Sequence, residues 1–340
     1  MGDAAPKRRG QCGSRPDIAA RKGNMFVYHH GLRLTVADLA VDTRRRHARA
    51  FVSHAHSDHI ARHDYVLCTA PTAALMEHRL GKRTVRIMQP GEPIPWAGVT
   101  LTALPAGHCL GAAMLHVQAD GQSLLYTGDF KLSPSATAAE AQPTKADILI
   151  MESTFGTPDY RMPPQDEVLS RLRDLVRRIL DGGAVPVIEA YSLGKGQEIT
   201  RRLNDMGFPV VQHPHVWAVS RIYESFGVNL GRYRRWEGTV EPGEAVVVPP
   251  RTRLEMRGLR QVRVAVTGWA VDPAAKYRLG VDHALPLSDH ADYDELLEMV
   301  ERVAPRVVYC THGSDEFVNR LQELGWDARP LGRSTQRRLF

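Results

Sequence analysis

Ser53-His54-Ala55-His56-Ser57-Asp58-His59 follows directly on the apolar run Arg49–Val52. Four metal-ligating side chains within six residues cannot all face one way on a strand or a helix. A tight loop at a strand end, however, can converge them on two nearby points. Imidazole and carboxylate together suit Zn²⁺ or another borderline divalent ion. Any one of these residues alone is more readily a satisfied structural side chain. The whole pattern arises by chance in only about two of a thousand chains of this composition.

Three more strand ends carry candidates. His108 sits in Pro105-Ala106-Gly107-His108-Cys109-Leu110-Gly111, after the β-rich run 98–104. Asp129 sits in Tyr126-Thr127-Gly128-Asp129-Phe130, after the second arm of a hairpin signalled by Asp120-Gly121. His312, in Thr311-His312-Gly313, follows the strand-like run 306–310. Glycine beside each allows close backbone approach or an unusual dihedral. Taken singly, each reads as an ordinary turn residue.

The chain has 340 residues, enough for about two domains at roughly 150 residues each. With 43% hydrophobic residues, 24% charged residues and 22 prolines, it is neither all-helical nor a coiled coil. No run of about 18 apolar residues marks a membrane span, and the N-terminal stretch lacks the apolar core of a signal peptide. Cys12, Cys68, Cys109 and Cys310 form no paired spacing, so a reduced, cytoplasmic setting is expected. The net charge of +6 gathers at the ends. Residues 1–24 hold six Lys/Arg against two Asp, and residues 327–340 hold four Arg against one Asp. The basic N-terminal stretch reads as a disordered extension.

Residues 25–155 are mostly β-rich, with Ala70–Leu80 the clearest helix. The texture changes near residue 160. Val168, Leu169, Leu172, Leu175, Val176 and Leu180 recur at helical spacing, closed by Gly182. Strand–helix alternation then runs to about residue 260, which signals a parallel α/β unit.

The order HxHxDH, strand-end Gly-His and strand-end Gly-Asp resembles the metallo-β-lactamase superfamily. The α/β insertion after Glu152-Ser153-Thr154-Phe155-Gly156, with Ser288-Asp289-His290-Ala291-Asp292 and Thr311-His312-Gly313 beyond it, resembles the β-CASP branch of nucleic-acid nucleases. Within that branch the similarity is greatest to bacterial ligase-associated DNA damage response exonucleases. It implies an αβ/βα sandwich formed by residues 25–160 and 266–340, with an α/β β-CASP domain inserted at 161–265. It implies two divalent metal ions, Zn or alternatively Mn. His54, His56 and His108 would hold one, and Asp58, His59 and His312 the other, with Asp129 bridging. Asp42 would orient the ligands, with Asp38 competing for that role. The family often continues from this aspartate with Pro and Trp; here the chain reads Asp42-Thr43-Arg44-Arg45.

The resemblance makes Asp58, Glu152 and His290 the catalytic set, with His290 as general acid and Glu152 orienting it. Twelve Lys/Arg against seven Asp/Glu between Lys195 and Arg263 suit a nucleic-acid partner. Ser192, Gly194, Lys195 and Ser288 are candidate phosphate contacts. The expected function is a DNA exonuclease in repair, linked to a DNA ligase or helicase pathway and to no membrane. Histidine at position 312 is typical of the branch's RNA enzymes, so a ribonuclease of RNA processing or degradation is the alternative. A small-molecule metallo-hydrolase on this fold would lack the insertion of about 100 residues and the Ser288–Asp292 motif.

Overall fold

The computed structural model describes residues 24–332, arranged as three sheets with their helices. The basic extension expected at 1–24 lies, apart from Asn24, outside the described residues, as do Arg333, Arg337 and Arg338.

Six strands form the first sheet in chain order: Phe26–Tyr28, Leu32–Leu34, Leu39–Val41, Arg49–Phe51, Tyr65–Cys68 and Thr84–Ile87. The first three pair antiparallel and the last four parallel. The second sheet runs from Pro93–Trp96 through Val99–Pro105, Ala113–Ala119, Gln122–Tyr126, Ile148–Glu152 and Val307–Thr311 to Ala328–Pro330. Asp120 and Gly121, at φ 47° and 74°, turn its central hairpin as that dipeptide predicts. The two sheets share one core. Leu34, Leu39, Phe51 and Leu67 of the first and Leu101, Leu115, Leu124 and Ile150 of the second are fully buried in it.

Strands Tyr233–Arg235, Val210–Gln212, Ala245–Val248, Val185–Glu189, Gln261–Val266 and His283–Leu285 make the third sheet, parallel throughout. Its Val- and Ile-rich strands are buried on both faces, as helix-covered parallel strands must be. Helices Gln165–Asp181 and Lys195–Asp205 cover it through Val168, Leu172, Val176, Ile199 and Leu203. The alternation read from sequence is present, but the last strand lies beyond the boundary expected at 265. That three-residue strand buries only Leu285, too little to produce a period in the sequence.

Strand direction assembles the site. Leu39–Val41 and Arg49–Phe51 run parallel, so Asp42 and the 53–59 loop leave the same edge. Ile148–Glu152 runs parallel to both Gln122–Tyr126 and Val307–Thr311, which brings Asp129, Glu152 and His312 to one edge. The third sheet adds the loops after Glu189 and Leu285. Strand C-terminal ends are where α/β sheets collect their functional loops. No helix among the described residues is long and apolar enough to cross a membrane.

Candidate metal centre

Four side chains able to hold a metal ion converge at the sheet edges. His54 Nε2 lies 3.0 Å from His56 Nδ1, which lies 3.1 Å from His108 Nε2. Asp129 Oδ2 is 3.3 Å from His54 Nε2 and 3.9 Å from His108 Nε2. Contacts on the far side of each ring fix the tautomers. His56 Nε2 lies 3.1 Å from the Leu193 carbonyl, and His108 Nδ1 2.8 Å from the Asp289 carbonyl. A carbonyl can only accept, so those nitrogens carry the protons. The Ser53 hydroxyl donates to Asp42, which leaves its oxygen to accept from His54 Nδ1 at 2.9 Å.

Each ring therefore turns an unprotonated nitrogen toward the others. Burial keeps the rings neutral: it pushes His54 well below the usual histidine range, lowers His56, and takes His108 down to about 3. Lone pairs this close repel one another unless a cation stands among them. With the Asp129 oxygen completing the set, the side chains fit a divalent ion that accepts nitrogen and oxygen donors.

Beside this group lies a second point that favours positive charge. His59 Nε2 is 3.4 Å from Asp129 Oδ2 and 3.7 Å from Asp58 Oδ2, while its Nδ1 donates to Asp42 Oδ2 at 2.9 Å. Burial works against a charged His59, but Asp129 and then Asp42 outweigh it and raise the ring well above its ordinary value. Asp129 Oδ2 thus stands between the two clusters. Asp58 and His312 occupy the rim: Asp58 is 58% exposed, and the His312 ring centroid is 5.8 Å from that of His59. Asp38 is elsewhere, in exposed ion pairs with Arg33 and Arg49.

Glycine is required beside the central ligand. A Cβ on Gly128 would stand 2.6 Å from Ser53 Oγ, and its φ of +57° is left-handed. That close approach lets Asp129 reach the histidines while Ser53 still binds Asp42.

His290 borders the cluster, its ring centroid 4.6 Å from that of His108 and its Nδ1 4.0 Å from Asp129 Oδ2. Nδ1 bonds to Glu152 Oε1 at 3.0 Å and Oε2 at 3.1 Å. Glu152 is itself held by the Phe130 N–H at 2.9 Å and the Thr154 hydroxyl at 2.5 Å. Burial opposes a charged His290, but Glu152 and then Asp129 overcome it and raise the imidazole to about 10.

Of the candidate phosphate contacts, Gly194, Lys195 and Ser288 are buried and bonded within the protein, whereas Ser192 is half-buried. Lys195 is 2% exposed, with Nζ 2.9 Å from the Leu287 carbonyl and 3.2 Å from Asp289 Oδ1. The Gly194 N–H donates to Gln197 Oε1, and the Gly196 N–H to the Tyr191 carbonyl. The Ser192 carbonyl accepts from Gln197 Nε2. Ser288 Oγ bridges the His290 N–H and carbonyl. These groups shape the loops around the ligands, because the chain folds back over the helix start instead of leaving it open. Sequence reasoning passed over Asp289, whose carbonyl orients His108 and whose carboxylate pairs with Lys195. It also passed over Leu193, whose carbonyl orients His56. Asp289 lies within the motif already quoted, but nothing in a sequence marks an orienting backbone carbonyl.

Residues 30–188 match the beta-lactamase superfamily domain, and residues 276–330 match the Zn-dependent metallo-hydrolase RNA specificity domain. The chain is 41% identical over 319 residues to a probable DNA ligase of Opitutus terrae, which covers 91% of this chain and 31% of that protein. It is 28% identical over 265 residues to the 5′ exonuclease Apollo of Gallus gallus, covering 75% of this chain and 56% of that one. To Endoribonuclease YSH1 of Yarrowia lipolytica it is 38% identical over 130 residues, covering 38% and 15%. The chain thus spans less than two thirds of each relative's length. Both domain matches in this order, with the parallel sheet largely between them, place the chain in the metallo-β-lactamase superfamily and in its β-CASP nuclease branch.

Proposed function

We propose that the chain hydrolyses phosphodiester bonds in nucleic acid as a metal-dependent DNA exonuclease of a repair pathway. The observation that carries this reading is the Glu152–His290 pair standing at the lip of the convergent histidine–aspartate cluster. His54, His56 and His108 would hold one divalent ion, and Asp58, His59 and His312 a second, with Asp129 shared. Zn suits the nitrogen and oxygen donors, and Mn is the alternative. Bound ions of this kind polarise a phosphodiester and supply a nucleophile near neutral pH.

The rest is done by the chain itself. Glu152 accepts the Nδ1 proton of His290, which leaves Nε2 of that partly exposed side chain to protonate the leaving oxygen. Leu193, Asp289 and Ser53 hold the ligand rings in the tautomers that aim their lone pairs inward. Asp58, at the rim, is the most solvent-open carboxylate of the set.

DNA is favoured because the relative covering 91% of this chain is named a DNA ligase, and one covering 75% is named a 5′ exonuclease. A ribonuclease is the second reading, favoured by His312 and by the description of the domain matched at 276–330. The domain division belongs to the same proposal. The sandwich is built from 25–160 and the closing segment, and the insertion is extended to about 285 by the strand at His283–Leu285. A cytoplasmic setting is supported by the buried free thiols Cys68, Cys109 and Cys310.

The test uses labelled single- and double-stranded DNA and RNA, each with a phosphorylated or hydroxyl 5′ end, assayed with Zn²⁺ and with Mn²⁺. DNA shortened from an end is the expected result. RNA cleavage without DNA cleavage selects the second reading. Two bound ions with no polynucleotide cleaved return the chain to the small-molecule hydrolases.

A further inference from the structure

Where the family resemblance departs after Asp42, the chain places a basic loop. Arg44, Arg45, Arg46 and His47 are all exposed. This loop is tied to the one that follows the metal-ligand motif: the His47 N–H donates to His63 Nδ1 at 3.1 Å, and the Asp64 N–H to the His47 carbonyl at 3.1 Å. Between them opens a cleft of about 580 Å³ lined by Arg46, Arg62, His63, Asp64, Lys82 and Arg83, with Thr84. Four cations therefore face one carboxylate, and Asp64 is already bound by Arg46 at 2.7 Å. Arg62, Lys82 and Arg83 have no ion-pair partner among the described residues.

One buried donor in this lining also lacks an acceptor: Arg83 Nε is buried and unpartnered. A buried donor without an acceptor costs free energy, and a cleft that sets it among unpaired cations is built for an oxyanion.

We infer that this cleft binds backbone phosphates of a single-stranded nucleic acid at the edge of the first sheet where its parallel strands begin. The chain segments after Asp42 and His59 lead from the metal centre to this edge, where Arg49–Phe51, Tyr65–Cys68 and Thr84–Ile87 begin, so a nucleic-acid strand anchored there lies a β-strand length from the ligands. This rests on the nuclease reading, and the experiment separates the two. Wild type and the double variant Arg62→Gln/Lys82→Gln are titrated with a fluorescently labelled single-stranded DNA oligonucleotide in EDTA, at several salt concentrations. Both side chains are exposed, and neither belongs to the metal centre.

The variant is expected to bind about tenfold more weakly. The slope of log affinity against log salt is expected to fall by about 1.4, roughly 0.7 for each phosphate no longer neutralised. Arg62→Lys/Lys82→Arg should restore both. Unchanged affinity and slope overturn the inference. Saturable binding of inorganic phosphate that the double variant loses, with oligonucleotide binding intact, also overturns it and assigns the cleft to a free anion. Hydrolysis of bis(p-nitrophenyl) phosphate by the metal-loaded protein reports on the nuclease reading alone. It should be equal in wild type and variant, and its absence from both would sink that reading without touching the binding result.

Discussion

His59 Nδ1 lies 2.9 Å from Asp42 Oδ2, and this contact ties the histidine loop to the strand before it. The same carboxylate accepts from the Tyr126 hydroxyl at 2.9 Å, from the Ser53 hydroxyl, and through Oδ1 from the Ser53 N–H at 2.7 Å. One buried side chain thus orients His59 directly and His54 through Ser53. Asp42 itself sits at φ 45°, a left-handed backbone held by these contacts.

Asp42→Asn removes the charge and replaces one accepting oxygen with a donating amide. Metal affinity should fall about 10- to 100-fold, the usual effect of losing a group that orients ligands. Competition against a chromogenic chelator measures it. Wild-type affinity in the variant would mean that the histidines hold their orientation without Asp42.

His290→Ala removes the proton donor but none of the ligands. Turnover should fall about 10²- to 10⁴-fold, with metal content unchanged by elemental analysis. Full turnover would exclude His290 from proton transfer, and lost metal would make it structural.

Glu152→Gln tests the electrostatics of the same pair. Glu152 is the largest influence raising His290, against a burial effect that lowers it. A raised group keeps its proton until the pH passes its folded-state value, so the acid form persists on the alkaline side. Without the carboxylate the ring loses its proton earlier, and the alkaline limb of the kcat profile should move to lower pH. A limb that stays in place shows that another group sets it.

Lys195→Met separates a structural lysine from a phosphate contact. Its ammonium is buried against Asp289, and removing one partner of a buried ion pair costs about 3–5 kcal/mol. Thermal unfolding should shift down markedly, and the Asp289 carbonyl should hold His108 less firmly. Unaltered stability with weaker polynucleotide binding would reinstate Lys195 as a phosphate contact.

The convergence of His54, His56 and His59 was legible because histidines clustered at a strand end seldom serve packing alone. The strand-end residues His108 and Asp129 were legible as positions, and their meaning came from the resemblance. Depth was not legible. Lys195 follows a glycine at a helix start, which reads as an open anion site, yet the chain folds Leu287 and Asp289 over it. Nor does a sequence mark the Leu193 and Asp289 carbonyls that set the tautomers, since any residue supplies a carbonyl. The strand at 283–285 stayed hidden because three residues cannot establish a period. The arginines after Asp42 stood out only as a departure from the family pattern, and the cleft that Arg46 shares with Arg62 and Lys82 needed the fold.

Gly128→Ala asks whether close packing or backbone freedom makes glycine necessary beside Asp129. Both oppose the substitution: φ is +57°, and the new Cβ would sit 2.6 Å from Ser53 Oγ and 2.8 Å from Ser53 Cβ. Gly183 is the matched comparison, with φ +67° and nothing within 4 Å of an added Cβ. Gly183→Ala carries only the left-handed strain, about 1–2 kcal/mol, and should bind metal as wild type does. Gly128→Ala carries the same strain and also displaces Ser53, which bonds to both Asp42 and His54. Its melting temperature should fall further than that of Gly183→Ala, and metal affinity should fall with it. Thermal unfolding and chelator competition on the two variants together measure the difference. Equal losses of stability with normal metal binding in both would show that φ alone dictates glycine at 128, and that Ser53 can move without disturbing His54.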